Sequence, residues 1–297
     1  MHQGPHATEQ TVHGLVRSRT PTALTIAGSD SGGGAGIQAD LKAFARCGVH
    51  GTSAITAVTA QSTTGVSAIH PIPPEIVLAQ VRAVVRDIGV GAVKVGMLAT
   101  AETVAAVAQA IDELPTGTPV VVDPVMVAES GARLLEHEAQ QALIEQILPR
   151  ATVLTPNLPE ARVLVALTAH DPAAIDALHG AQEDEREAEA LARAVLALGP
   201  RVVVLTGGHR ARAADLFLDA GEMLSIDGER HADGAAHGSG CTHSAVLAAQ
   251  LALGRTPLEA ATIARAMAGA AIGRGLRDIG EGAGPVDVIG LAGMRAS

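Results

Sequence analysis

Short, continuous apolar runs alternate with amphipathic stretches along most of the chain, and this alternation restricts the possible folds more than any other feature. A strand that is apolar at every position must be buried on both faces, as in a parallel sheet covered by helices. Strands are predicted at residues 23–27, 52–60, 92–95, 120–122, 153–155 and 202–205, with paired edge strands at 215–218 and 222–226. Helices are predicted at residues 37–47, 73–87, 100–114, 138–148, 181–198, 241–253 and 257–273. The pattern therefore predicts an α/β fold with a mainly parallel central sheet.

The length of the chain and its lack of internal divisions bound the number of domains. The 297 residues contain no repeat and no linker rich enough to divide them, and a single α/β domain reaches this size. The first twenty residues carry several His and Arg side chains but no apolar segment typical of a signal peptide. We therefore predict a flexible tail at residues 1–20 and one domain at residues 21–297.

Charge and aromatic content argue against a nucleic-acid partner. The formal net charge is −10, and the chain has no Trp, no Tyr and two Phe with which to stack bases. The negative charge also means that an anionic ligand, such as a nucleotide, needs local positive potential. Backbone N–H groups, a helix N-terminus or a metal ion can supply it.

The cysteine count and the hydropathy predict a cytoplasmic location. Cys47 and Cys241 are the only cysteines, so the chain has no disulfide framework and suits a reducing compartment. No apolar run is long enough to span a bilayer, and we predict no membrane partner.

Two glycine-rich segments lie where ligands bind in such sheets. Residues 28–36 (GSDSGGGAG) connect a predicted strand to a predicted helix, and residues 237–242 (HGSGCT) lead directly into an apolar helix. Both segments are compatible with an anion, and the second would present N–H groups at the positive end of a helix. At that position a thiol pKa is lowered, which makes Cys241 a candidate base. The alternative is a glycine-rich helix start with a buried, inert cysteine.

Three further segments follow predicted strands. Asn157 and Glu160, in an N-x-x-E spacing, could hold a hydrated Mg²⁺, or could simply cap a helix. Asp123 could join the metal or the phosphates, and Thr206-Gly207-Gly208 would let backbone approach a nucleotide. All five segments fall at strand ends in one alternating chain, which predicts phosphoryl transfer assisted by a metal ion.

In order along the chain, these segments resemble those of hydroxymethylpyrimidine kinases, from about residue 22 to about residue 286. The resemblance is carried by residues 27–42 (AGSDSGGGAGIQADLK), 59–61 (TAQ), 94–98 (KVGML), 122–126 (VDPVM), 155–160 (TPNLPE), 207–209 (GGH) and 237–242 (HGSGCT). It implies a ribokinase-like three-layer α/β/α sandwich that forms a homodimer and uses ATP and Mg²⁺. It also implies that 4-amino-5-hydroxymethyl-2-methylpyrimidine is phosphorylated to its monophosphate and then to the diphosphate, as in thiamine biosynthesis.

The resemblance assigns a role to each matching position. Gln61 reads the pyrimidine edge, in a pocket lined by Gly28, Asp40, Thr59 and Met97. The turn formed by Gly238, Ser239, Gly240 and Cys241 is the anion hole, with Cys241 as the catalytic base. The remaining positions serve ATP and the metal: Thr206, Gly208 and Asn157 border ATP, and Glu160 and Asp123 serve Mg²⁺ and the phosphates.

The chain departs from the family at several positions. Thr206 stands where a Lys is frequent, residues 234–236 (GAA) stand where a Lys-Asn pair is frequent, and His243 is unusual and has no predicted role. Two other functions share the fold or the pocket: a pyridoxal or pyridoxine kinase, and an inactive sensor that binds the pyrimidine. Gln61 favours an aminopyrimidine, because an amide can pair with an amine and a ring nitrogen together.

Overall fold

The strands of the central sheet send alternate side chains into two separate hydrophobic cores. This is seen in a computed structural model of the chain, which describes residues 20–129, 131–168, 185–207, 213–231 and 235–294. Leu24 and Val93 belong to one core, whereas their neighbours Ala23 and Ala92 belong to the other. Because successive side chains of a strand point to opposite faces, both faces of the sheet are covered. The predicted three-layer α/β/α sandwich is confirmed.

The described residues form a nine-stranded sheet in the order β3-β2-β1-β4-β5-β6-β7-β8-β9. The strands are β1 (Thr22–Asp30), β2 (His50–Ser62), β3 (Gly65–Pro71), β4 (Ala92–Val95), β5 (Val120–Val122), β6 (Val153–Leu154), β7 (Val202–Leu205), β8 (Ala214–Leu218) and β9 (Met223–Asp227). The six strands from β2 to β7 in this order are parallel, and β3, β8 and β9 pair antiparallel at the two edges. The carboxyl ends of the parallel strands therefore meet at one edge of the sheet, where ligands bind in such folds.

Helices cover the two faces of the sheet unequally. Within the described ranges they are α1 (Gly36–Arg46), α2 (Pro74–Asp87), α3 (Ala101–Asp112), α4 (His137–Ala142), α5 (Leu158–Thr168), α6 (Glu185–Leu196), α7 (Ser239–Ala252), α8 (Pro257–Gly273) and α9 (Leu291–Met294). Helices α2 to α6 pack on one core, and α1, α7 and α8 pack on the other. Helix α4 continues into a π-helical turn (Leu143–Ile147) and a 3₁₀ turn (Leu148–Arg150), where we predicted one regular helix.

Strand β3 and the short helix α9 (Leu291–Met294) were not predicted. Strand β3 has no fully buried residue, so it lacks the apolar run that identifies the inner strands. Helix α5 begins after Asn157, where the spacing of Asn157 and Glu160 leaves a helix cap open as the alternative to a metal site. The predicted helix at 181–198 is seen from Glu185, because residues 181–184 lie outside the described part.

Most of the predicted tail also lies outside the described residues, which begin at residue 20. The organisation of residues 21–297 as one domain stays a prediction. Of the helices in the described ranges, none has the length and hydrophobicity needed to cross a membrane.

Candidate active site

A cavity opens at the carboxyl ends of the parallel strands, and most of the predicted residues line it. Twelve of the fourteen residues named from the sequence are in its wall: Gly28, Thr59, Gln61, Met97, Asp123, Asn157, Glu160, Thr206, Gly238, Ser239, Gly240 and Cys241. Gly208 lies outside the described residues. Asp40 is the exception among the described ones.

Asp40 does not line the pyrimidine pocket as we predicted. Its side chain is fully buried on the sheet side of α1, where it accepts a hydrogen bond from Thr25 Oγ1 at 2.6 Å and one from Lys94 Nζ at 3.0 Å. The carboxylate therefore lies beneath the cavity, and it reaches the cavity only through Lys94.

Lys94 is the central side chain of the site, and the sequence analysis gave it no role. It lies on β4, is fully buried, and is 3.9 Å from Asp123 Oδ2 as well as 3.0 Å from Asp40 Oδ2. Burial alone lowers the pKa of an ammonium, but the charges of Asp40 and Asp123, and that of Cys241 when it is ionised, together raise the pKa of Lys94. Lys94 is therefore a fixed cation in the cavity wall. The signal in the sequence was a lysine in the middle of an apolar strand (AVKV), which is almost never buried without a partner.

The first glycine segment binds its own carboxylate, which corrects our expectation of a loop open to an anion. The N–H groups of Gly32, Gly34 and Ala35 donate to the Asp30 carboxylate at 2.8, 3.0 and 2.8 Å. His237 Nε2 is 3.1 Å from the same carboxylate. Burial opposes ionisation, but these hydrogen bonds lower the pKa of Asp30 overall. The segment is therefore a closed turn, held against the second glycine segment through His237.

The second glycine segment retains part of the predicted anion hole. Gly238 adopts a φ of 80° at the N-cap of α7, and a Cβ there would overlap the carbonyl of Gly34, so only glycine fits. The N–H of Ser239 is already used, since it donates to Ala236 O at 3.0 Å. The N–H groups of Gly240 and Cys241 have no acceptor among the described residues. Two N–H donors therefore remain at the positive end of a 14-residue helix.

The expected lowering of the Cys241 pKa is wrong. Burial raises the pKa of the thiol to about 12, assisted by the negative charges of Asp123 and Asp40. Lys94 and a hydrogen bond from the Gly36 N–H oppose this rise without cancelling it. Desolvation therefore outweighs the helix N-terminus, and Cys241 is protonated at neutral pH.

Asn157 and Glu160 form a reciprocal cap at the start of α5, which is the alternative that the spacing had left open. The Asn157 N–H donates to Glu160 Oε2 at 2.9 Å, and the Glu160 N–H donates to Asn157 Oδ1 at 2.8 Å. Burial, and then the charge of Asp123, raise the pKa of Glu160 well above its usual value. Asp123 itself accepts a hydrogen bond from Ser244 Oγ at 2.9 Å.

These two carboxylates fit a hydrated Mg²⁺, although they do not form a complete protein site. No group of three or more His, Cys, Asp or Glu residues in the described ranges could hold a metal ion. Mg²⁺ needs no such cage, because it takes one or two carboxylates together with water and phosphate oxygens. A cation here would also offset the mutual repulsion of Asp123 and Glu160.

Four predicted residues line the cavity near the carboxyl ends of β1, β2 and β4. The Thr59 hydroxyl has one hydrogen, which it can donate to Ser29 O at 3.0 Å or to Gln61 Oε1 at 3.1 Å, and the second hydrogen bond orients the Gln61 amide. A Cβ on Gly28 would lie 2.9 Å from Met97 Sδ, which shows how closely the backbone and the thioether approach. The pocket wall here offers one oriented amide and otherwise small or apolar groups.

Most of the chain matches one known protein family. The profile of a family described as phosphomethylpyrimidine kinase matches residues 30–287. The chain belongs to the phosphomethylpyrimidine kinase family. Membership in this family implies a kinase that uses ATP.

Related sequences and structures support this membership. The chain is 47% identical over 270 residues to the hydroxymethylpyrimidine/phosphomethylpyrimidine kinase of Rhizobium meliloti, covering 90% of this chain and 96% of that protein. Its fold is similar to the phosphomethylpyrimidine kinase from Clostridium difficile, with a TM-score of 0.67, 36% identity, and coverage of 82% and 96% of the two chains. It is also similar to the pyridoxal kinase from Staphylococcus aureus in complex with pyridoxal, with a TM-score of 0.78, 32% identity, and coverage of 91% and 94%.

Sequence reasoning missed several buried polar residues of the site. Asp30 and His237 join the two glycine segments, Lys94 and Ser244 contact Asp123, and Asp215, His243 and Arg265 form a separate cluster in the same cavity wall. Only Lys94 carried a clear sequence signal. The others depend on contacts between residues far apart in the chain.

Proposed function

We propose that the protein transfers the γ-phosphoryl group of ATP to the hydroxymethyl group of 4-amino-5-hydroxymethyl-2-methylpyrimidine, and then phosphorylates the monophosphate to the diphosphate. The observation that carries the proposal is one cavity that joins the oriented Gln61 amide to the free N–H groups at the start of α7. The first group suits an aminopyrimidine, and the second suits a phosphoryl group in transfer. The relatives named hydroxymethylpyrimidine/phosphomethylpyrimidine kinase match this chain over more than nine-tenths of their own length.

Each part of the site has a chemical task in this reaction. The Gly240 and Cys241 N–H groups stabilise the charge on the transferred group, and Lys94 adds a fixed positive charge beside it. When bound, Mg²⁺ would neutralise phosphate charge, and Asp123 and Glu160 would hold it. Thr206 and Asn157, which form a parallel bridge at the ends of β7 and β6, border the nucleotide.

The partners and the location follow the same resemblance. A homodimer is supported by large apolar side chains exposed near the β2–β3 edge of the sheet, with Val58 45%, Ile69 36% and Ile76 50% exposed. A cytoplasmic location is supported by Cys47 and Cys241, which are both free thiols.

A pyridoxal kinase is the second candidate, because the Staphylococcus aureus structure matches over 91% of this chain. A substrate panel with ATP, the aminopyrimidine alcohol, its monophosphate, pyridoxal and pyridoxine distinguishes the two, with products identified by mass. We expect a monophosphate and then a diphosphate from the aminopyrimidine. Phosphorylation of pyridoxal or pyridoxine alone would refute the proposal, and nucleotide binding without any product would identify an inactive sensor.

Replacement of Gln61 should change substrate choice. Gln61→Leu leaves the amine and ring nitrogen of an aminopyrimidine without their partner, so we expect its KM to rise about tenfold or more. The KM for pyridoxine should change far less. Thr59 keeps its hydrogen bond to Ser29 in this variant, so the pocket wall is otherwise preserved. Steady-state kinetics with both alcohols provide the measurement, and an equal loss on both would remove this role from Gln61.

Replacement of Glu160 should change the Mg²⁺ requirement. Glu160→Gln keeps a side chain that can cap α5, but it removes a negative charge, and we expect the Mg²⁺ concentration for half-maximal rate to rise about tenfold or more. Because the pKa of Glu160 is raised, protons compete with Mg²⁺, and the wild-type requirement should fall as the pH rises.

Mg²⁺ titrations at several pH values measure this effect. The Glu160→Gln variant should lose most of the pH dependence, and high Mg²⁺ should recover part of its activity. Thermal unfolding should remain near that of the wild type. If the variant has the wild-type Mg²⁺ requirement at every pH, Glu160 serves only as the helix cap.

A further inference from the structure

Asp215, His243 and Arg265 form a buried polar cluster that has no part in the reaction described above. They come from β8, α7 and α8, and they are 0%, 4% and 8% exposed. All three line the same cavity as the residues of phosphoryl transfer. Burying a carboxylate with two basic side chains is costly unless these groups form hydrogen bonds or ion pairs with one another or with a ligand.

The Asp215 carboxylate links three segments of the cavity wall. Its Oδ1 accepts a hydrogen bond from the Gly207 N–H at 2.9 Å, at the end of β7. Its Oδ2 lies 3.0 Å from His243 Nε2, and Arg265 Nη1 lies 3.7 Å from Oδ1. Although burial opposes ionisation, His243, Arg265 and the Gly207 N–H together lower the pKa of Asp215. The carboxylate therefore remains charged and connects Gly207, at the end of β7, to helix α7.

The backbone at Gly207 is tightly packed. A Cβ on Gly207 would overlap the carbonyl of Ala214, so the backbone of Gly207 lies directly against β8. A second contact holds Arg265, since its Nη2 donates to Ala213 O. Movement of the cluster would therefore move the segment that borders the nucleotide.

Part of the hydrogen-bonding capacity of the cluster is unused. Among the described residues, Arg265 Nε and both ring nitrogens of His243 have no hydrogen-bond partner, because the 3.0 Å contact with Asp215 lacks hydrogen-bond geometry. Buried donors without partners are rare in folded proteins, and in a cavity wall they indicate a ligand or the group it orders. Two basic side chains favour an anionic ligand or group.

The position of the cluster in the sheet separates it from the pyrimidine. Gln61 lies on β2 and Asp215 on β8, and these strands are six positions apart in the sheet. At the usual strand spacing this is roughly 29 Å. Thr206, at the end of the neighbouring strand β7, is instead a predicted neighbour of ATP.

We propose that Asp215, His243 and Arg265 position the Thr206-Gly207 segment against helix α7, and thereby set the affinity of the site for the nucleotide but not for the pyrimidine. His243 is the side chain that makes the connection to α7. The inference rests on the proposed use of ATP, and it explains a histidine that the family resemblance leaves without a role.

Calorimetric titration with ADP, in the absence of the pyrimidine, tests the proposal directly. In His243→Leu the Asp215 carboxylate loses its contact with α7, and we expect the Kd for ADP and the KM for ATP to rise about tenfold. The KM for the pyrimidine should stay within about twofold of the wild type. His243→Gln, whose amide can donate to Asp215 in place of the imidazole contact, should recover most of the ADP affinity.

Several outcomes would overturn the proposal. These are an unchanged Kd for ADP in His243→Leu, a rise of both KM values by the same factor, or a wild-type protein that does not bind ADP. If His243→Leu does not fold, Asp215→Asn replaces it, since this variant keeps an acceptor for the Gly207 N–H and loses the charge. An unchanged Kd for ADP in Asp215→Asn would also refute the proposal. If the wild type binds ADP with the expected variant pattern but phosphorylates no pyrimidine, the proposed function fails and the role of the cluster stands.

Discussion

Cys241→Ala should slow the first phosphorylation by about 10²- to 10⁴-fold and the second far less. In the first step the nucleophile is an alcohol, which must lose a proton as it attacks the phosphorus. In the second step it is a phosphate monoester with a pKa of about 6, which is already ionised at neutral pH and needs no base. The Cys241 N–H is a backbone group, so the anion hole survives the substitution.

The pH dependence of the two steps gives a second, independent test. Because burial raises the pKa of Cys241 to about 12, the thiolate is a strong base that is present in a small fraction at neutral pH. The first step should therefore accelerate about tenfold per pH unit through the neutral range, with no plateau below about pH 9. The second step should level off above the pKa of the monoester.

Single-turnover product formation, measured from the alcohol and separately from its monophosphate, provides both results. In Cys241→Ala the slope of the first step with pH should disappear, while the profile of the second step is kept. Equal losses in both steps would mean that Cys241 shapes the anion hole and is not the base. Wild-type rates in both steps would identify it as an inert buried cysteine.

The inner strands could be predicted because burial on both faces leaves a continuous apolar signal. The sequence Val120–Val122 can hardly belong to another element, and the structure has a strand there. The same signal is absent from β3, whose residues are partly or fully exposed at the edge of the sheet. Its pairing with β2 is a property of the folded sheet and not of its own composition.

The site residues were predicted by position, but their electrostatics were not. A cysteine at the start of a helix is visible in the sequence, and so is the dipole that should lower its pKa. The burial that raises this pKa is not visible, because it depends on how the helix packs in the folded chain. The charges of Asp123 and Asp40, which add to the rise, and of Lys94, which opposes it, also meet only in the folded structure. In the same way, the glycines of residues 28–36 predict a loop compatible with an anion, whereas in the structure the Asp30 carboxylate occupies that loop.

Lys94→Met should abolish most of the activity and also destabilise the fold. The substitution conserves much of the side-chain volume, but it leaves the fully buried Asp40 carboxylate with Thr25 Oγ1 as its one remaining side-chain partner among the described residues. Removing one partner of a buried ion pair typically costs about 3–5 kcal/mol, because the other charge stays buried. Urea unfolding followed by circular dichroism measures this loss.

A double variant separates the contribution of Lys94 to stability from its contribution to the reaction. Lys94→Met combined with Asp40→Asn removes the unpaired charge and keeps the hydrogen bond from Thr25, so we expect most of the lost stability to return. Activity should not return, because the cavity wall still lacks its fixed cation beside Asp123 and Cys241. The first phosphorylation should remain the more affected step, since without Lys94 the pKa of Cys241 rises further.

The role of Lys94 is decided by whether the double variant recovers both its stability and its reaction rate. If the double variant regains both, Lys94 only neutralises Asp40, and the catalytic cation must lie elsewhere. If the single variant unfolds at the same urea concentration as the wild type, Asp40 and Lys94 are not the closed ion pair that the 3.0 Å contact describes. Recovery of stability without activity is the result expected of a lysine that is buried by the fold and used by the reaction.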